Sequence, residues 1–205
     1  ASGAEDPARA AYWSELGVAH FQRLDVPVTA VPVIDRMSAH APEHIASIRA
    51  ANYIYLSGGR PDYLARTLTG TPVWEAILAV VADGGLLAGC SAGAMIMGER
   101  FLGAPRSRRG FNLLPGVMIL PHYDEMPGVA VRLIRRLAAR RMTLVGIDGS
   151  TALTGTGSQW EVLGHGGVTI WQGNTVTRYD AGPVPPGVLP NARVVDAVDN
   201  DSAIM

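Results

Sequence analysis

Ser91 stands at the centre of Gly89-Cys90-Ser91-Ala92-Gly93, a G-x-S-x-G pattern. A four-residue apolar run, residues 86–89, precedes it, and a stretch dense in small residues, 91–98, follows. The chemistry asks for those residue types. A sharp turn from strand into helix forces its central residue into a strained backbone conformation that projects the side chain. Only small neighbours tolerate the packing this requires. The start of the following helix offers a positive dipole end and the amide of Ala92 to a developing oxyanion. Cys90 competes as a nucleophile, but Ala88 and Ala92 flank it where Gly89 and Gly93 flank Ser91. Ser91 therefore takes the central position, and Cys90 is expected to pack as a small hydrophobe.

A serine hydroxyl is a weak nucleophile until a base takes its proton. The five histidines are His20, His40, His44, His122 and His165. His20 falls in an expected helix, His40 and His44 flank a loop, and His165 lies in the glycine-rich turn Gly164-His165-Gly166-Gly167. His122 alone follows an apolar strand, 117–120, at the end where α/β active sites collect. It comes 31 residues after Ser91, which leaves no room for the order Ser, acid, distant His of the α/β-hydrolases. His122 is the base this reading selects.

These groups need elements to hold them. Asp6-Pro7 reads as an N-cap with proline at the first helical position, opening a helix over 8–24. Residues 28–34 are β-rich but broken by Pro32, and 42–51 form a second helix. The strand 53–56 runs straight into Ser57-Gly58-Gly59, and helices follow over 62–68 and 73–83. Residues 131–141 make an amphipathic helix, with Leu133, Ile134, Leu137 and Ala138 on one face and Arg132, Arg135, Arg136 and Arg140 on the other. From 143 on, short strand-like runs (143–147, 151–154, 160–163, 168–172, 175–178) alternate with glycine turns. Alternating strands and helices followed by hairpins indicate an α/β fold, a mostly parallel sheet with antiparallel hairpins toward the C-terminus. A chain of 205 residues fits a single domain, 1–205.

Composition narrows the function classes. Hydrophobic residues make up 48% and charged residues 17%, which excludes disorder as the main state. All 17 basic residues are arginine, and the net charge is −1, so no global basic field argues for nucleic acid or a membrane surface. The arginine face of helix 131–141 reads as solvated. One cysteine excludes an internal disulfide and any multi-cysteine metal site, and it is compatible with the cytoplasm. No apolar run reaches the roughly 18 residues of a membrane span.

Tyr55-Leu56-Ser57-Gly58-Gly59, Ala88 to Ala94, Leu120-Pro121-His122-Tyr123-Asp124-Glu125 and Gly146-Ile147-Asp148-Gly149-Ser150-Thr151-Ala152-Leu153, in that order and spacing, resemble the dipeptidase E and cyanophycinase family of serine peptidases. The resemblance implies a class I glutamine amidotransferase-like three-layer fold, a nucleophile at Ser91 and a base at His122. It also implies an oxyanion hole from Gly58, Gly59 and Ala92. Relatives commonly carry a glutamate after Gly-Ile-Asp to orient the histidine, where this chain has Gly149. No carboxylate lies between Arg100 and Tyr123, so the candidates are Asp148, Asp124, Glu125 and Glu99, with Asp148 favoured and Asp124 read as a helix cap. Arg60 stands where relatives often have a neutral polar residue, and it could grip a substrate carboxylate. Relatives also have a first sheet strand just before an Ala-Ser-Gly-like segment, so residues preceding Ala1 are expected in the native protein. The expectation is a cytoplasmic serine peptidase acting on short peptides, without metal or cofactor and with no nucleic-acid or membrane partner. A homodimer is compatible with it. The alternative is a non-catalytic member that keeps the pocket for a small ligand.

Overall fold

Asp6 opens the first helix, α1 (Pro7–Gln22), by accepting the amides of Ala8 and Arg9 on its carboxylate, with Pro7 at the first helical position. The structure, a computed structural model, describes residues 6–103, 107–138 and 142–193. Its contacts group into two compact units, one ending at Gly93 and the other beginning at Ala94.

In the first unit, residues 26–34 form no strand, where a broken strand over 28–34 was expected, and the Val33 amide turns back to Val31 O at 2.8 Å. Pro27 and Pro32 remove two amide donors from this segment, so it cannot supply a regular ladder. After α2 (Pro42–Arg49), β1 (Tyr53–Leu56) leads to α3 (Pro61–Leu68), α4 (Pro72–Ala82) and β2 (Leu86–Gly89). Thr71 caps α4 through its hydroxyl, a contact worth about 1 kcal/mol in such positions. β1 and β2 pair in parallel from Tyr53↔Leu86 to Leu56↔Gly89, so both strands end at the same level. Ile48, Leu64, Leu68, Val73 and Ile77 are buried in this unit. A cavity of about 1210 Å³ lies beside β1, between α1 and this apolar set. Phe21 of α1 meets Tyr53 and Tyr55 edge-on, at 6.0 and 5.6 Å between ring centroids.

α5 is only Ala92–Met95, half the length expected of 91–98. The chain leaves the helix because Gly98 is drawn into a bridge with Leu114 and the amide of Glu99 donates to Val117. Two elements were not legible in the sequence: the ribbon of β3 (Arg100–Phe101) and β4 (Arg108–Arg109), and the final strand, named below.

The second unit is built on β5 (Val117–Pro121), α6 (Gly128–Ala138) and β6 (Thr143–Ile147), then β7 (Thr151–Thr156), β8 (Gln159–Gly164), β9 (Val168–Gln172), β10 (Thr175–Tyr179) and β11 (Gly182–Val184). One sheet has the order β10-β9-β6-β5, parallel at β5/β6 and antiparallel elsewhere. The other is antiparallel, β11-β8-β7. Period-two alternation divides the first sheet's side chains. Val117, Ile119, Val145, Val168 and Ile170 pack with Trp160, Val162 and Val184 of the second sheet. Met118, Leu120 and Leu144 face the other way, with Ile134 of α6, Tyr123 and Trp171 against them. Leu133, expected on the apolar face of this helix, is 56% exposed. Arg135, expected in the solvated stripe, lies over the Trp171 ring at 3.7 Å. The helix is thus rotated so that a guanidinium, flat and apolar on its faces, covers the indole.

Candidate active site

At the ends of β1 and β2 the first unit brings two loops together. The Cys90 amide donates to Leu56 O at 3.1 Å, which extends the parallel pairing one step past the strands. Ser91 then adopts φ +48°, a left-handed conformation that a non-glycine residue takes at a cost of about 1–3 kcal/mol. This is the strained turn that the G-x-S-x-G pattern implied. The small flanking residues are needed: a Cβ on Gly93 would stand 2.9 Å from Leu56 Cβ. A Cβ on Gly58 would stand 3.1 Å from Ser91 Cβ and 3.5 Å from its Oγ. Gly58 therefore lies directly against the serine, and Gly59 follows at φ +127°, a conformation that only glycine adopts readily. The amides of Gly58, Gly59 and Ala92 enter no turn or loop hydrogen bond among the described residues.

Arg60 caps the start of α3 and is 57% exposed, with Nη2 3.6 Å from Asp62 Oδ2. Asp62 also lies 3.8 Å from Arg66 Nη2. Cys90 corrects the sequence reading. It is exposed rather than packed, and its thiol lies beside the Tyr55 hydroxyl. Burial first, and then that thiol, raise the Tyr55 pKa well above its usual value.

In the second unit, His122 follows β5 at φ +54° and opens a 3₁₀ turn, Tyr123–Glu125. Two of the other histidines serve as local staples: His40 Nδ1 lies 2.8 Å from Arg36 O, and His44 Nδ1 lies 2.9 Å from Ser38 O. His165 is exposed in its turn, as expected. Asp148 follows β6 directly. β5 and β6 are in register up to Pro121↔Ile147, and His122 and Asp148 each follow directly, so the two residues leave neighbouring strands at the same level. Alternation along β6 puts Asp148 on the Leu144 side of the sheet, while the left-handed turn at His122 ends the alternation of β5.

Asp148 is 7% exposed. Its Oδ2 accepts the Gly167 amide at 3.0 Å and Arg178 Nη2 at 2.7 Å, while its Oδ1 is buried without a hydrogen-bond partner. Asp124 is exposed and caps no helix. Its Oδ1 accepts the Gly149 amide at 2.8 Å and so ties the loop after His122 to the turn after Asp148. The structure thus places Gly58, Gly59, Arg60, Ser91 and Ala92 at the strand ends of the first unit. His122 and Asp148 lie at neighbouring strand ends of the second. Sequence reasoning missed the surroundings of Asp148, although the run Gly164-His165-Gly166-Gly167 was the available signal. Among the described residues, no group of three or more His, Cys, Asp or Glu side chains could hold a metal ion. No helix there is long and apolar enough to cross a membrane.

A mixed α/β chain with an elbow of this geometry fits the fold of the family whose motifs it resembles. The chain belongs to peptidase family S51, whose model matches residues 8–163. It is 31% identical over 172 residues to a cyanophycinase of Trichormus variabilis, covering 77% of this chain and 55% of that protein. A cyanophycinase of Synechococcus elongatus is 31% identical over 163 residues, covering 71% of this chain and 50% of that protein. The chain thus spans about half the length of the curated relatives it matches. The crystal structure of a peptidase from an acI-B1 Actinobacterium superposes with a TM-score of 0.78 at 35% identity, covering 89% of this chain and 79% of that one. A putative peptidase E protein from Listeria monocytogenes has the same fold, with a TM-score of 0.54 at 19% identity over 80% of this chain and 76% of that one.

Proposed function

We propose that the protein is a serine peptidase that hydrolyses short peptides, and that it acts in the cytoplasm. The backbone of Ser91 carries this reading: φ +48° at a strand-to-helix turn, with Gly58 pressed against the side chain. Strain of that kind persists only where the surroundings enforce it, and it presents the hydroxyl at the end of β2. Ser91 attacks the scissile carbonyl, and the carbonyl oxygen, now an oxyanion, takes hydrogen bonds from the amides of Gly59 and Ala92, with Gly58 giving it room. His122 accepts the serine proton and returns it to the leaving amine; water then hydrolyses the acyl-enzyme by the same route. Asp148 holds the His122 ring in the productive tautomer. Its unpartnered buried Oδ1 and its place at the end of the strand adjoining β5 support that role. Arg60, exposed beside the Gly58-Gly59 loop, pairs with a carboxylate of the peptide. The cyanophycinase relatives, which match at 31% identity, direct the first substrate trials toward peptides containing aspartate and arginine.

The test is labelling with a fluorophosphonate probe alongside hydrolysis of a dipeptide library read by mass spectrometry. The probe is expected to modify Ser91 alone. Ser91→Ala should lose labelling and cleavage while keeping its melting temperature, and Cys90→Ala should keep both activities. An active Ser91→Ala with an inactive Cys90→Ala would overturn the assignment. A chain that neither labels nor cleaves would be the non-catalytic binding module.

A further inference from the structure

Arg178 reaches from β10 across the glycine run that precedes β9. Its Nη2 donates to Asp148 Oδ2 at 2.7 Å and its Nε to Asp180 Oδ1 at 3.2 Å. The guanidinium lies where a Cβ on Gly167 would have to be, 2.7 Å from Cζ and Nη2 and 3.0 Å from Nε. The Gly167 amide bonds the same carboxylate oxygen, and Gly167 O accepts the Asp148 amide at 3.1 Å. Gly166 is bare for a related reason. A Cβ there would stand 2.8 Å from Asp148 Cβ and 3.1 Å from Gly149 O. The turn read in the sequence as an exposed loop is therefore a seat for one aspartate, with an arginine as its outer wall.

The two oxygens of Asp148 are used unequally. Oδ2 takes both donors, and Oδ1 takes none while enclosed by protein. A buried carboxylate oxygen left without a donor is costly, so Oδ1 has acceptor capacity to spare for a nearby N–H. The ring of His122, which follows the adjoining strand β5, is exposed and makes no hydrogen bond among the described residues. Fixing Oδ2 at two points sets the side-chain rotamer and thereby decides where Oδ1 lies.

We infer that Arg178 is a positioning residue of the peptidase reaction: seated in the space left by Gly167, it holds Asp148 Oδ2 so that Oδ1 accepts the ring N–H of His122. The inference rests on the reading of Asp148 as the orienting acid. Arg178 touches no substrate in this scheme and acts only through the carboxylate.

The experiment compares Arg178→Met, Arg178→Lys, Gly167→Ala, Asp148→Asn and the double variant Arg178→Met/Asp148→Asn in the full chain, using a cleaved peptide from the library. Arg178→Met should lower kcat about tenfold or more and leave KM within about twofold. Arg178→Lys should recover part of the loss, since a point charge restores attraction without the fork geometry. Gly167→Ala keeps the charge but displaces the guanidinium, and should resemble Arg178→Met, which preserves the test if Arg178→Met folds poorly. The low-field proton resonance of a histidine N–H bonded to a carboxylate should weaken in each. In the double variant kcat should fall no further than in Asp148→Asn alone. If Asp148→Asn is crippled while Arg178→Met and Gly167→Ala keep full kcat, the role of Arg178 is overturned and the acid assignment stands. A double variant that loses the Arg178 factor again also overturns it. Full kcat in Asp148→Asn overturns the acid assignment itself, and Asp124→Asn then tests the carboxylate held by the Gly149 amide.

Discussion

At the scale of residues, the chain replaces bulk by backbone at the points where chemistry is expected. Gly58 clears the space beside Ser91, Gly167 clears the space for Arg178, and Gly149 offers only an amide to Asp124. A Cβ at position 149 would stand 3.4 Å from Asp124 Oδ2, an ordinary contact, so a glutamate there would set a second carboxylate beside Asp124. Arg60 shows the opposite economy, a long cation 57% exposed beside the serine loop, with Nη2 3.6 Å from Asp62 Oδ2. An ion pair of that length in solvent is weak, so a substrate carboxylate can compete with Asp62 for the guanidinium. Arg60→Ala is expected to raise KM about tenfold for peptides whose nearby carboxylate is free, and about twofold or less when that carboxylate is amidated. Equal effects on the two peptides in steady-state assays would remove Arg60 from the binding site.

At the scale of elements, local signals, the C-terminal hairpins among them, were read well, and pairing between distant segments was not. The helices of the first unit begin at Pro7, Pro42, Pro61 and Pro72, each at the first helical position, and a proline so placed is visible in sequence. The serine elbow was legible for the same reason, because its constraint is local. The ladder partners of residues 100–109 and 182–184, the rotation of α6 that exposes Leu133, and the seat of Asp148 depend on residues far apart in the chain. No window of sequence shows those. The turn entering α2 was also missed. There the Asp35 carboxylate accepts the Ser38 amide and hydroxyl, both at 2.7 Å, while Tyr63 of α3 donates to Ile34 O at 2.8 Å. These bonds to Ser38 lower the Asp35 pKa below its ordinary value near 3.8. A depressed carboxylate contributes stability that is present above its unfolded pKa and disappears as pH falls through the folded one. Asp35→Asn should therefore melt below the parent at pH 6, and the gap should close as pH falls below the ordinary carboxylate value. A gap that stays constant across thermal melts from pH 7 to pH 2.5 would mean that the turn does not depend on the charge.

At the scale of the whole molecule, charge balance decides which partners are refused. Seventeen arginines face eighteen carboxylates, for a net charge of −1, so the chain as a whole offers a polyanion no attraction. What counts is whether the cations form a stripe, and three of those described are drawn into single contacts. Arg36 donates to Thr69 O at 2.7 Å, Arg100 to Ser107 O at 3.0 Å and Arg178 to Asp148 at 2.7 Å. The one basic helix face suggested by the sequence is broken in the middle, because Arg135 turns in to cover Trp171 at 3.7 Å. Arg132 and Arg136 remain exposed, a turn of helix apart, and Arg140 lies outside the described residues. Non-specific DNA binding at physiological salt, roughly 10⁻⁴–10⁻⁶ M in dissociation constant, needs several phosphates neutralised together. Arg132 and Arg136 by themselves release too few counterions to reach that range. Fluorescence anisotropy with a labelled 20-base-pair duplex is therefore expected to show no binding at about 10 μM protein in about 0.15 M salt, and no gain on Arg135→Ala. Micromolar binding that weakens steeply as salt rises would place a cationic surface on the molecule and reopen nucleic acid as a partner.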